Sequence, residues 1–121
     1  MRLSANEMPV VMQEGGLEII EQEWGAMQVC RMTLPPGTDL TPFFAALPGG
    51  LCSVPHWGQV LEGEIHLRYA DGAEETTRAG EFYHWPAPHT AWTDQGVVCL
   101  LIQPADEANR ANELMAAAQA G

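Results

Sequence analysis

The chain has 121 residues, 46% hydrophobic and only 17% charged, and its 16 acids against 5 arginines leave a formal net charge of -11. That length suits one domain, which buries about two-thirds of its unfolded surface and needs neither disulfides nor a metal merely to fold. With no lysine and no basic patch the chain cannot neutralise phosphates, which argues against nucleic acid and against an anionic membrane surface as partners.

Residues 1–16 read as an N-terminal arm ending in Gly15-Gly16, with a short strand around Val10–Met12. Leu17–Trp24 and Ala26–Leu34 each alternate apolar and polar residues in the manner of half-buried strands, separated by Gly25. Pro35-Pro36-Gly37 is a turn, because proline presets φ and glycine supplies the free dihedral after it. Thr41–Leu47 predicts one helical turn, with Thr41 as cap and Pro42 at the first helical position. Cys52–Tyr69 reads as a long strand pair turned at Glu62-Gly63-Glu64, and Asp71-Gly72 is a hairpin signal. Short strands follow at Thr76–Arg78, Glu81–Trp85 and Thr90–Thr93, the last two separated by Pro86-Ala87-Pro88. Val97–Ile102 is continuously apolar and predicts a central strand buried on both faces. The remainder, residues 105–120, is rich in alanine, glutamate, leucine and methionine and predicts a helix. Many short strands at this spacing predict an all-β sandwich or barrel over residues 17–102, followed by a C-terminal helix.

Three cysteines, Cys30, Cys52 and Cys99, form an odd set with no C-x-x-C spacing. They predict free thiols and a reducing cytoplasm, not a disulfide framework. Residues 1–9 lack the apolar run of a signal peptide, and no segment approaches the ~20 apolar residues of a membrane span, so the expectation is a soluble cytoplasmic protein.

Nearly every residue able to ligate a transition metal lies in two segments, Cys52-Ser-Val-Pro-His56-Trp-Gly-Gln-Val-Leu-Glu-Gly63 and Gly80-Glu-Phe-Tyr-His84-Trp-Pro86-Ala-Pro88-His89. These resemble the two motifs of the cupins, G-x5-H-x-H-x3,4-E-x6-G and G-x5-P-x-G-x2-H-x3-N, over residues 50–102. The resemblance implies a double-stranded β-helix, or jelly-roll barrel, that commonly holds a metal on three histidines and a glutamate. It also implies a homodimer. The ligand slots depart from the pattern: His56 stands at the glutamate slot, Cys52 at the second histidine slot and Gly50 at the first. In the second motif Pro88 replaces the glycine, Ala91 occupies the histidine slot, and His89 lies two residues earlier.

Cys52, His56, Gly58 and Val60 share strand parity, as do His89 and Ala91, so each set points to one face. Cys52, His56 and His89 are accordingly the candidate metal ligands. A fourth would come from His84, with Gln59, Glu64 or Tyr83 as other options; parity allows only one of His84 and Tyr83 inside. Thiolate with imidazole suits Zn²⁺ or Fe²⁺ better than Mg²⁺ or Ca²⁺. Cys30 and Cys99 read as small buried hydrophobes and His66 as a surface residue. Trp57, Gln59, Tyr83, Trp85 and Trp92 bracket both motifs and form either barrel core or the wall of a pocket for a small apolar or planar molecule.

Three functions are open on these residues. One is a metal-dependent cupin acting on or binding a small organic molecule, with oxygenase-like, isomerase-like and hydrolytic chemistry all hosted by the family. The others are a metal-free small-molecule-binding module and a closed structural zinc site.

Overall fold

The computed structural model of the protein describes residues 1–120. It is built from nine strands, β1 (Val10–Glu14), β2 (Leu17–Trp24), β3 (Met27–Leu34), β4 (Thr38–Asp39), β5 (His56–Tyr69), β6 (Glu74–Arg78), β7 (Phe82–Trp85), β8 (His89–Thr93) and β9 (Val97–Pro104), and one helix, α1 (Ala105–Ala120). Every pairing is antiparallel: β1-β2-β3-β9 continues through β5 to β8 and β4, while β6 and β7 also pair with β5. The sheet curls into a jelly roll, as the sequence led us to expect.

The predicted strand pair over Cys52–Tyr69 is instead one 14-residue strand. Its first half pairs with β9 and β7, its second half with β6 and β8. A bulge between Val60 and Glu62 inverts the parity. Before it His56 and Val60 point inward; after it Ile65 and Leu67 do. Gly63 bends the strand without ending it. Its φ of 77° favours glycine, and a Cβ there would overlap the carbonyl oxygen of Gly96, immediately before the adjacent strand β9.

Two other elements differ from expectation. The run Val97–Ile102 is buried on one face only: Val97, Cys99 and Leu101 enter the core, while Leu100 and Ile102 are exposed. The cause is the sheet, whose outer face nothing covers here. The turn at Thr41–Phe44 is a 3-10 helix capped by Leu40 instead of Thr41, and Pro48–Gly50 forms a second one. The arm holds a short 3-10 turn at Ala5–Glu7 before β1, which is longer than the three residues expected and exposed throughout.

The main core packs Leu34, Val60, Ile65, Leu67, Trp85, Cys99 and Leu101 between the curled faces. A second cluster sets Ala108 and Ala111 of α1 against Leu47, Cys52 and Val54. Small alanines at a three-residue spacing let the helix approach closely and cap the barrel end beside Cys52. Below it, Gln28 donates from Nε2 to Asn109 Oδ1 at 2.9 Å and accepts from Gln103 Nε2 at 2.8 Å, tying the helix to β3 and β9. No helix among the described residues is long and apolar enough to cross a membrane.

Gly63→Ala should cost about 3 kcal/mol or more, because dihedral strain and backbone overlap add. Gly72→Ala, with φ of 88° but open space around its Cβ, should cost only about 1 kcal/mol. Urea unfolding of both variants checks this; equal losses would remove the close approach at Gly63 from the account.

Candidate metal centre

Cys52, His56 and His89 meet at the helix-capped end of the barrel. Cys52 and His89 form an isolated antiparallel bridge: Cys52 N–H donates to the His89 carbonyl at 2.7 Å, and His89 N–H to the Cys52 carbonyl at 3.2 Å. Directly opposed residues hold their Cβ atoms about 4.5–5.5 Å apart, so the backbone alone brings thiol and imidazole together. His56 opens β5 on its inward parity, and its ring centroid lies 5.1 Å from that of His89. One donor atom from each of the three residues lies within 4.8 Å of the others. All are buried, with 6%, 9% and 2% exposure for Cys52, His56 and His89.

Three features fit these residues to a divalent ion. His89 Nδ1 stands 2.9 Å from the Pro86 carbonyl. That oxygen only accepts, so Nδ1 carries the proton and Nε2 keeps its lone pair for a ligand, the usual arrangement of a metal-binding histidine. His56 Nδ1 is buried without a hydrogen-bond partner, so no protein acceptor fixes this ring's proton and Nε2 can present its lone pair beside Cys52. Cys52 Sγ lies 3.6 Å from His56 Nε2. A tetrahedral zinc with bonds of about 2.3 Å to sulfur and 2.0–2.1 Å to nitrogen spaces the two atoms by about 3.6 Å.

Without a metal, burial holds all three groups neutral. It pushes the Cys52 thiol up to about 11, against a weaker opposite pull from the Val54 backbone. Burial drives the His56 imidazole down to about 3; neighbouring His89 adds to that shift, and Gln103 opposes it. Burial also lowers His89, offset in part by its bond to Pro86.

A cavity of about 430 Å³ opens beside the three donors. Its walls are mostly apolar, including Leu40, Phe43, Ile65, Leu101 and Met115, with Glu21, Gln103 and Asn112 as polar exceptions. Of the expected aromatic wall only Trp85 lines it. Trp85 is 1% exposed, packs edge-on to His56 at 6.3 Å and donates from Nε1 to Thr77 Oγ1 at 3.1 Å. Tyr83 stacks on Trp85 at 3.5 Å, and its hydroxyl donates to the Leu100 carbonyl, so it does not line the cavity. Trp57 and Gln59 have the outward parity of β5, opposite His56. Trp92 lies on the outer face of β8, stacked on His66 beneath the Arg68 guanidinium.

His84, the expected fourth ligand, is exposed on the outer face and stacks flat on Trp57 at 4.8 Å. Glu64 faces His66 and Arg78. Cys30 and Cys99 are buried thiols; burial pushes Cys99 up to about 12 and raises Cys30 as well. The residue that the sequence reading passed over is Glu21. Its signal was present, since it continues the parity of Leu17 and Ile19, which point toward the core.

No family model and no curated protein matches the chain. Solved structures do. A Bacillus subtilis oxalate decarboxylase described for its Mn(II) centres matches with a TM-score of 0.64 at 15% identity, covering 84% of this chain and 28% of that one. The Lactobacillus farciminis oxalate decarboxylase formate complex matches at 0.59 and 18% identity, over 84% and 32%. A Salmonella typhimurium LT2 protein named for ethanolamine utilization, protein Q, matches at 0.57 and 15% identity, over 84% and 82%. The chain thus spans under a third of the oxalate decarboxylases it matches. At such identities the likeness establishes the fold alone: a cupin-like jelly roll, a curled antiparallel barrel with one C-terminal helix.

In the metal-free protein, His56 and His89 bind protons less readily folded than unfolded. Unfolded imidazoles titrate near 6.5, so this contribution to stability is complete above pH about 6.5 and is lost as pH falls below it, for His56 down to about 3, by about 1.4 kcal/mol per pH unit for each proton. Chelator-treated protein unfolded in urea between pH about 7 and about 5 should lose stability, and His56→Asn should shallow that slope. An unchanged slope in the variant would show that His56 is not held neutral by the fold.

Proposed function

We propose that the chain forms one cupin domain that binds a divalent transition metal through Cys52, His56 and His89 and acts on a small organic molecule held in the adjoining cavity. The carrying observation is the convergence of three buried donors on the wall of that cavity. One thiolate with two imidazoles favours Zn²⁺ or Fe²⁺. The Mn(II) centres described for the Bacillus subtilis oxalate decarboxylase support a metal on this fold, and the thiol here shifts the preference toward softer ions. A bound ion supplies Lewis acidity to an oxygen-bearing group of the ligand. The chain's own residues do the rest: Pro86 fixes the His89 tautomer, Trp85 packs against His56, and the apolar walls exclude water.

A second reading, a metal-free binding module, is favoured by the neutral state of all three donors and by the apolar walls. Elemental analysis separates the two. Purified protein should carry about one equivalent of zinc or iron, lost in Cys52→Ala, His56→Ala and His89→Ala while the circular dichroism of the barrel persists. Full metal in all three variants would refute the site, and a metal-free wild type after anaerobic reconstitution would leave the binding module. Chelation that unfolds the barrel would identify a structural zinc instead.

A reducing compartment such as the cytoplasm accords with three free buried thiols. The homodimer implied by the cupin likeness has a surface available for it, the outer sheet face where Trp57, Leu61, Phe82, Leu100 and Ile102 are exposed. Light scattering should give twice the 13.2 kDa chain mass, and Phe82→Glu should restore the monomer. A wild-type monomer would exclude the dimer.

A further inference from the structure

We propose that Glu21 is the charged anchor of the cavity, and that the ligand it selects is a small organic cation, an ammonium on an apolar body. This deepens the proposed ligand-binding role and does not require the metal.

Glu21 lies on β2 opposite Cys30 and lines the cavity. Its only polar side-chain contact among the described residues is the Cys30 thiol, 3.5 Å from Oε1. A thiol is a weak donor and leaves most of the carboxylate's hydrogen-bonding capacity unused. No basic side chain approaches it. The chain has no lysine, and none of Arg2, Arg31, Arg68, Arg78 and Arg110 lines the cavity. Arg31, Arg68 and Arg78 pair instead with Glu18, Glu74 and Glu64.

A half-buried carboxylate without a cation is costly unless something pairs with it. Burial raises its proton affinity, and neighbouring Glu23 adds to that; both effects mark a place where a positive charge would be welcomed. Phe43, Phe44 and Trp85 line the same cavity, and aromatic rings attract ammonium groups. The net charge of -11 steers cations toward the protein and anions away. A carboxylate ligand would meet no side-chain cation in this cavity and would face Glu21.

The test uses hexylammonium, 1-hexanol and hexanoate, probes with matched apolar bodies, titrated calorimetrically into chelator-treated wild type and Glu21→Gln. Hexylammonium should bind wild type about tenfold more tightly than hexanol, with hexanoate weakest. Glu21→Gln should erase the ammonium preference and keep the hexanol affinity, while Glu23→Gln should retain the preference. Equal affinities for ammonium and alcohol in wild type, a preference that survives in Glu21→Gln, or no binding of any probe would each overturn the proposal. The wild-type comparison decides even if Glu21→Gln fails to fold. Because the protein is metal-free throughout, failure here is distinct from failure of the metal site, which elemental analysis judges.

Discussion

One strand serves two sheets, and the site depends on how it does so. An unbroken β5 would keep its even-numbered residues inside for its whole length, turning Ile65 and Leu67 to solvent and losing about 1.5–3 kcal/mol for each. The bulge after Val60 inserts the one residue that reverses parity, and Gly63 lets the bent strand cross against Gly96 without a side chain between them. His56 can therefore point inward at one end of the strand and Leu67 at the other. Tyr69, at the far end, pairs with His89, so the same strand fixes the position of two of the three donors. The third, Cys52, is fixed by its bridge to His89.

Parity explains what the sequence revealed and what it concealed. It placed Cys52, His56 and His89 on inner faces, and it holds for all three. The aromatic wall was grouped by nearness along the chain, not by face, and here the same rule separates its members. Trp57 and Gln59 alternate with His56, and Trp92 alternates with Ala91, so these three point outward. Trp85 pairs directly with His56 and points in. The bulge could not be read, because no residue in Val60–Glu62 announces an extra member; only Gly63 hints at it. The apolar run in β9 misled for a related reason: uniform hydrophobicity says that a strand can be buried on both faces, while the fold supplies cover for one.

Electrostatics separates the fold from the proposed metal chemistry. Buried donors that stay neutral impose no charge on the apolar interior, so the cores around Leu67 and Leu47 can form with the site unligated. A divalent ion held by Cys52, His56 and His89 would change that balance, since it would favour the Cys52 thiolate over the thiol and so bind more tightly as pH rises. The His89 tautomer is set before any ion arrives, by the carbonyl of Pro86. That preorganisation removes one ordering cost from binding.

The cavity has two polar poles set in an apolar wall, and the pair constrains a ligand more than either could. The three donors form one pole; Glu21 forms the other. Gln103, on the same wall, donates to Gln28 and approaches the Cys30 sulfur at 3.8 Å. Leu101, Ile65 and Phe43 line the same cavity, where contact is non-directional and rewards area alone. In the proposed mode a cation attracted to Glu21 would take its orientation from that carboxylate. An anion would gain only at the donor pole, and only when a metal is there. With one carboxyl group and no basic side chain lining it, the cavity as proposed would discriminate by ligand charge.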